Sequence, residues 1–173
     1  MDKTLPVHIT ILEMITAPAT VLHVPTKPSI ALIQAKNIPL GFYRYLYEIV
    51  GKPHHWEERR ELEDDSLDAI INSSKSSISV LYADGCPAGF FELDHTHMPE
   101  TNFIKYLGLA PQYQGLGLGN WFVGTAIRAA WSTKPAKVRI ETNTLDHPAA
   151  LRLYQKHGFS PIAVADSEVK IWE

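Results

Sequence analysis

A glycine-rich turn is the stretch of this sequence whose residue types most clearly suggest binding chemistry. It runs from Gln114 to Gly119, between the apolar segments 103–110 and 120–131. Such a turn exposes backbone N–H groups where a helix begins, and the helix dipole adds partial positive charge there. Glycines also let the backbone approach an anion closely. The pattern predicts a site for a phosphate or pyrophosphate group, although the same glycines would also suit an ordinary turn.

A second candidate segment lies downstream, at residues 149–159 (AALRLYQKHGF). Pro148 suits the first position of a helix, and Gly158 suits the residue just after its end. Asp146 stands where a carboxylate favours a helix N-terminus. The segment therefore predicts a helix that carries Tyr154, whose ring could also serve only as a core aromatic.

Hydrophobic periodicity and turn residues indicate the elements that must position these two segments. Strands are predicted at 7–14, 29–36, 77–83, 86–94, 103–110 and 137–142. Helices are predicted at 40–50, 57–72 and 117–131, and a fourth helix is predicted from Pro148 to just before Gly158. The tail after Gly158 is predicted to form two short strands around 165–167. Asp84 and Gly85 predict a tight hairpin turn. The order predicts an antiparallel meander that leads into a parallel β-α-β crossover.

The composition fits one domain and excludes several function classes. The chain has 173 residues, 45% of them apolar, and a net charge of −3, so no basic surface for nucleic acid or an anionic membrane is expected. Cys86 is the only cysteine, so an internal disulfide is excluded. We find no signal peptide and no apolar run that is long enough to cross a membrane. A cytoplasmic protein is therefore expected.

Together these motifs resemble the GCN5-related N-acetyltransferase (GNAT) family. Gln114-x-x-Gly117-x-Gly119, preceded by a strand that ends in Pro111, is similar to the family's Q/R-x-x-G-x-G/A loop. Residues 149–159 resemble its A-x-x-L-Y-x-K-x-G-F signature. The resemblance covers roughly residues 28–172. It implies an α/β (α+β) fold: one domain with a mixed central sheet of about six or seven strands and helices on both faces. The single domain 1–173 would comprise an extension (1–27), a two-helix acceptor-side segment (39–72) and an acyl-CoA-binding core (103–159).

The resemblance implies acetyl-CoA, or a related acyl-CoA, as co-substrate. The loop would hold the pyrophosphate, and the pantetheine arm would pair with the backbone of Leu107 and Leu109. The central strands would separate there, with a bulge at Gly108, and the Leu109 N–H would stabilise an oxyanion. His147 stands where the family often has Asn. The implied cofactor-binding residues are Leu107, Leu109, Gln114, Gly115, Leu116, Gly117, Leu118, Gly119, Asn120, His147 and Tyr154.

The resemblance also implies transfer of the acyl group to a primary amine, with Tyr154 as the general acid that protonates the CoA thiolate. Glu92 is our candidate for the general base; Asp94, Glu141, His95 and an ordered water are the alternatives. Tyr43, His55 and Trp56 are the candidate substrate-binding residues. The histidines near 54–55 and 95–97 fit no zinc spacing, so no metal is expected. The expected partner is a small-molecule or peptide amine, and the protein would be a monomer or homodimer.

Two other functions fit part of the sequence. A dinucleotide-binding oxidoreductase would also have a glycine loop, a helix and a later carboxylate, here Glu141. However, only one helical crossover follows the loop, which is too little for a doubly wound sheet. A non-catalytic acyl-CoA sensor on the same fold is the second alternative.

Overall fold

One mixed sheet forms the centre of the molecule. In the computed structural model, which describes residues 3–173, the sheet has seven strands. They are β1 (Thr4–Met14), β2 (Ile30–Ala35), β3 (Ser76–Ala83), β4 (Cys86–Asp94), β5 (Thr101–Leu109), β6 (Lys137–Asn143) and β7 (Ser160–Lys170). Their order in the sheet is β2-β3-β4-β5-β6-β1-β7. Strands β2 to β5 form the predicted antiparallel meander, and β5 and β6 are parallel as predicted.

Helices cover both faces of this sheet. Within the same described range they are α1 (Leu40–Gly51), α2 (Asp64–Ile71), α3 (Gly119–Ser132) and α4 (Ala150–Lys156). Phe91 and Leu93 of β4 pack in a cluster with α3, whereas Phe90 packs with α1 on the other face. Side chains of β4 therefore alternate between the two faces of the sheet. The fold is α/β (α+β), as the sequence predicts.

The predicted extension contains strand β1, which is an internal strand of the sheet. Its strand β1 lies between β6 and β7 and is antiparallel to both. The chain then crosses α3 to reach β2 at the far edge of the sheet. Leu22 of this crossing segment packs on Gly124, where a Cβ would lie 2.5 Å from Leu22 Cδ2. Residues 1 and 2 of the predicted extension lie outside the described residues.

Two local predictions were wrong, and distant contacts explain both. The second helix begins at Asp64, and residues 57–62 form turns instead. In these turns the Arg59 side chain bonds Glu92, and the Glu57 carboxylate accepts the Lys170 N–H. A helix could not make both contacts in the same way, because residues two positions apart point in different directions on a helix. The tail is one strand, not two, because β7 pairs with β1 from Ser160 to Lys170. The register of this pairing shifts once, between Ile11 and Leu12.

Candidate active site

A cavity opens where the two parallel strands separate. The pairing of β5 with β6 runs from Thr101 with Lys137 to Ile104 with Ile140 and then stops. Beyond this point a cavity of about 610 Å³ passes between the strands. It is lined by β5 and β6, by the glycine loop and α4, and by the segment after α1. Such a split in a sheet offers unpaired backbone groups to an extended ligand.

The bulge in β5 lies at Lys105, not at Gly108 as the sequence predicted. Glu92 pairs with Tyr106 and Leu93 with Ile104, so Lys105 is the extra residue. Gly108 pairs regularly with Phe90. Its lack of a side chain has another cause, because a Cβ at Gly108 would lie 2.6 Å from Val50 Cγ1 of α1. The glycine thus permits close packing of α1 on β5.

Leu107 and Leu109, the residues predicted to pair with the pantetheine arm, direct their backbone groups toward the cavity. The Ala110 N–H donates to the Ala88 carbonyl of β4 at 2.8 Å. In an antiparallel ladder, alternate residues point their polar groups toward the partner strand. The groups of Leu107 and Leu109 therefore point away from β4, to the side that β6 has left. The Gln114 side chain donates to the Leu109 carbonyl at 3.1 Å, which leaves the Leu109 N–H facing the cavity.

The glycine loop has the backbone conformation that its sequence predicts. Gly115 and Gly117 have φ of +74° and +79°, and α3 begins at Gly119. A Cβ built on any of the three glycines meets no atom within 4 Å, so the loop borders open space. Of the predicted loop residues, Gln114, Gly115 and Gly119 line the cavity. Leu116, Gly117, Leu118 and Asn120 do not; Leu118 is buried in the core, and Asn120 bonds His157 at 3.0 Å.

Tyr154 of α4 lines the cavity with a free hydroxyl. The ring is 7% exposed and packs edge-on against Phe159. Its hydroxyl makes no hydrogen bond to any residue in the range 3–173. Burial raises the pKa of Tyr154, and the nearby Asp146 carboxylate raises it further. The phenol is therefore protonated at neutral pH and has a proton to donate.

The side chains of Asp146 and His147 hold the loop before α4. The sequence predicted Asp146 at the helix N-terminus and His147 as a cofactor-binding residue. α4 begins at Ala150, two residues after Pro148. The His147 ring accepts the Ala149 N–H at 3.1 Å, so this cavity-lining residue also caps the turn. Asp146 does not cap α4; its carboxylate accepts the Thr142 hydroxyl at 2.8 Å and the Asn143 N–H at 2.9 Å.

Glu92 does not reach the cavity. Its side chain is fully buried, and its two oxygens bond Arg59 at 2.8 Å and the Tyr43 hydroxyl at 2.5 Å. Burial would lower the pKa of the Arg59 guanidinium, but the Glu92 carboxylate raises it well above its usual range. Burial and the same carboxylate also raise the pKa of Tyr43. The geometry therefore gives Glu92 and Tyr43 a structural position rather than the predicted contacts with substrate, and neither lines the cavity.

An aromatic wall closes the opposite side of the cavity. The predicted residues His55 and Trp56 belong to it, together with Tyr47 and Tyr106. The Trp56 and Tyr106 ring centroids are 4.9 Å apart. Burial raises the pKa of Tyr47 to about 12. The C-terminal end closes this wall, because the Trp172 N–H donates to the His55 ring at 2.9 Å and the Trp172 ring packs on Tyr47.

Two contacts across the cavity were not foreseen from the sequence. The His54 ring bonds the Leu145 carbonyl at 3.0 Å, and the Trp56 indole N–H donates to Asp146 at 3.4 Å. They join the segment after α1 to the loop before α4. No local pattern could reveal them, since the partners lie about 90 positions apart in the chain.

Other kinds of site receive no support from the described residues. Within residues 3–173 no group of three or more His, Cys, Asp or Glu side chains is arranged to hold a metal ion. None of the helices in this range combines the length and apolar character that a membrane span requires.

Comparison with known proteins identifies the family. A model of the acetyltransferase (GNAT) family matches residues 43–159, more than half of the chain. This chain belongs to the GNAT family of acetyltransferases. A comparison with curated protein sequences finds no match.

Solved GNAT structures share the fold. A tandem GNAT protein from the clavulanic acid biosynthesis pathway superposes with a TM-score of 0.67 at 13% identity, over 96% of this chain and 54% of that one. A GCN5-related N-acetyltransferase from Kribbella flavida superposes with a TM-score of 0.62 at 13% identity, over 95% of this chain and 58% of that one. An aminoglycoside acetyltransferase from an uncultured soil metagenomic sample superposes with a TM-score of 0.60 at 12% identity, over 75% of this chain and 87% of that one. The chain thus spans little more than half of the first two proteins.

Proposed function

We propose that this protein transfers an acetyl group, or a related acyl group, from acyl-CoA to a primary amine. The observation that carries the proposal is the juxtaposition at the split between β5 and β6. There the unpaired backbone of Leu107 and Leu109, the open glycine loop and the free Tyr154 hydroxyl border one cavity.

The residues present fit an acyl-CoA. Loop glycines with open space around them leave room for a bulky diphosphate, and backbone N–H groups at the start of a fourteen-residue helix favour its negative charge. The backbone of Leu107 and Leu109 can pair with an amide-bearing arm. When bound, acyl-CoA supplies an activated thioester carbonyl.

The chain's own residues would then act on each side of that carbonyl. The Leu109 N–H would donate to the carbonyl oxygen as negative charge develops there. Tyr154 would hold its proton until the thiolate departs and then donate it. Asp146 would support this role, since its negative charge disfavours a tyrosinate nearby. The aromatic wall would exclude water from the same space.

A thermal-shift comparison tests the cofactor class. Acetyl-CoA, longer acyl-CoAs and NAD(P)⁺ are each added to the full chain at matched concentrations. We expect stabilisation by acetyl-CoA, because a ligand that binds only the folded state raises the melting temperature. Stabilisation by NAD(P)⁺ alone would instead support the oxidoreductase. A screen for thiol release from acetyl-CoA with an amine panel then separates a transferase from a sensor, which would bind the cofactor and release no thiol.

A further inference from the structure

Glu141 lies where β6 separates from β5. The last pair of the β5–β6 ladder is Ile104 with Ile140, and Glu141 is the next residue of β6. Ile140 and Thr142 are buried, and Ile140 packs in the cluster that contains α3. Because side chains alternate along a strand, Glu141 lies on the other face, which carries α1 and the aromatic wall. It lines the cavity and is exposed to solvent there.

The charge of the cavity wall favours a cation. Six carboxylates line the cavity, with Lys105 as the only lysine or arginine among its described lining residues. The carboxylates are Glu57, Glu58, Asp94, Glu141, Asp146 and Glu168. Glu58 neutralises Lys105 at 2.8 Å. A cavity lined mainly by one sign of charge attracts a ligand of the opposite sign.

Glu141 differs from the other five carboxylates because it has no partner. Each of the five accepts a hydrogen bond within the protein. The donors are the Lys170 N–H for Glu57, Lys105 and Tyr106 for Glu58, the Thr96 N–H for Asp94, Thr142 for Asp146 and Thr4 for Glu168. Across residues 3–173 the Glu141 carboxylate makes neither a hydrogen bond nor an ion pair. Its full capacity as an acceptor is therefore available to a ligand.

We propose that Glu141 binds the ammonium group of the acceptor and accepts its proton, and that the acceptor is a primary alkylamine that is cationic at neutral pH. This inference rests on the proposed function. Glu141 thereby serves as the general base, a role that the buried Glu92 cannot fill because it does not line the cavity.

The protons balance in the resulting step. One proton passes from the ammonium nitrogen to a Glu141 oxygen, which frees the nitrogen lone pair. The nitrogen bonds to the acyl carbon, and the carbon–sulfur bond breaks with its electron pair on sulfur. Tyr154 gives its proton to that sulfur, and the second proton of the nitrogen restores Tyr154. Glu141 then releases its proton to water, so the step needs no further reactant.

The binding half of the proposal is tested without CoA. Isothermal titration calorimetry compares benzylamine, n-butylamine and 1,4-diaminobutane with their alcohol counterparts, benzyl alcohol, n-butanol and 1,4-butanediol. We expect at least one amine to bind about tenfold more tightly than its alcohol, since a charge-assisted hydrogen bond is stronger than a neutral one. Glu141→Gln should abolish that preference. Glu48→Gln, an exposed position of α1 outside the cavity lining, should keep it. If the wild type shows no preference for an amine over its alcohol, or if Glu141→Gln keeps that preference, Glu141 is not the binding site for the ammonium group.

The proton-transfer half is tested by a pH profile with an amine that the wild type acetylates. The ratio of kcat/KM between wild type and Glu141→Gln should be about 100 at pH 7. It should fall toward one as the pH approaches the pKa of the amine, near 10.4 for an alkylamine, because the free amine needs no base. A ratio that does not change with pH rules out the base role.

The two levels of the proposal fail separately. Amine binding that depends on Glu141, with no thiol released from acetyl-CoA by any of the three amines, would reject the proposed function and keep the ammonium site. Thiol release at pH 7 that is equally fast in Glu141→Gln and wild type would keep the proposed function and reject Glu141 as the base.

Discussion

The loop side of the cavity (residues 107–120 and 147–154) consists mostly of backbone and of residues that are close in sequence. The aromatic side (residues 47–59, Tyr106 and 167–172, with Glu92 buried behind them) consists of side chains that meet across the whole chain. On the loop side, positive φ at two glycines and a helix start at Gly119 create the site. On the aromatic side, the arrangement depends on pairs such as Arg59 with Glu92 and His55 with Trp172.

This difference predicts which kind of change damages each side. A backbone site is broken by a substitution that alters φ or fills the space beside the loop. A side-chain site is broken by removing one member of a pair, because the other member is then left buried without its partner. The two sides should therefore respond separately in binding and in stability measurements.

The largest effect on stability is expected from Glu92→Ala. It leaves the Arg59 guanidinium, whose side chain is 11% exposed, without its carboxylate. Breaking such a pair costs about 3–5 kcal/mol. Urea denaturation measures the loss, and Glu92→Gln, which keeps an acceptor for Tyr43, should lose less. Glu13→Ala is the matched control, since its partners Arg139 and Lys137 are about one third exposed; it should cost about 1 kcal/mol or less. Equal losses for both alanine variants would contradict the structural role of Glu92.

Gly117→Glu should weaken acetyl-CoA binding at least about 100-fold, or about 2.7 kcal/mol. The side chain would bring negative charge to the loop and strain a backbone with φ of +79°. Gly85→Glu is a close control, because Gly85 has φ of +81° in the β3–β4 turn, away from the cavity. Both variants should lose similar stability, but calorimetry should show weaker acetyl-CoA binding only for Gly117→Glu. If Gly117→Glu binds acetyl-CoA as the wild type does, the loop is misassigned.

Trp56→Phe should have a smaller effect, confined to the acceptor. The variant keeps an aromatic ring beside Tyr106 and loses the indole N–H bond to Asp146. A hydrogen bond contributes about 0.5–1.5 kcal/mol, so the KM for the amine should rise about three- to tenfold. The dissociation constant of acetyl-CoA should not change. Trp131→Phe, which removes an indole N–H bond to Met14 outside the cavity, serves as control and should leave both constants unchanged.

The smallest effect is expected on the alkaline side of the pH profile. Burial and Asp146 raise the pKa of Tyr154 above its usual value near 10. The acid form therefore persists as the pH rises, and kcat should stay level from pH 7 to about pH 9.5. Asp146→Asn removes one of the two causes, so its alkaline decline should begin at a lower pH than in the wild type. Identical profiles would show that Asp146 does not act on Tyr154.

The same contrast explains what the sequence could predict. Three features follow from local propensity, and all three are present: the Asp84–Gly85 turn, the start of α3 and the glycine after α4. The alternation of side chains along β4 puts Glu92 on the face of Phe90, but no pattern in the sequence indicates Arg59 as its partner. The helix predicted from residue 57 failed for this reason, since Arg59 is drawn to a residue 33 positions away.

The position of β1 was also beyond local reasoning. Its alternation predicts a strand, and nothing in that pattern names β6 and β7 as its neighbours. Glycine at 108 carried a similar ambiguity, because a bulge and close packing both favour glycine. The regular pairing of Gly108 with Phe90 and its close approach to Val50 distinguish them.

In the proposed reaction Tyr154 supplies a proton to the leaving thiolate at a cavity that binds acyl-CoA through backbone groups. Single-turnover acyl transfer and acetyl-CoA affinity are therefore compared in Tyr154→Phe, with Tyr45→Phe on the exposed face of α1 as control. We expect Tyr154→Phe to slow transfer about 100-fold or more while the dissociation constant of acetyl-CoA changes less than about threefold. Transfer at the wild-type rate would exclude Tyr154 as the general acid.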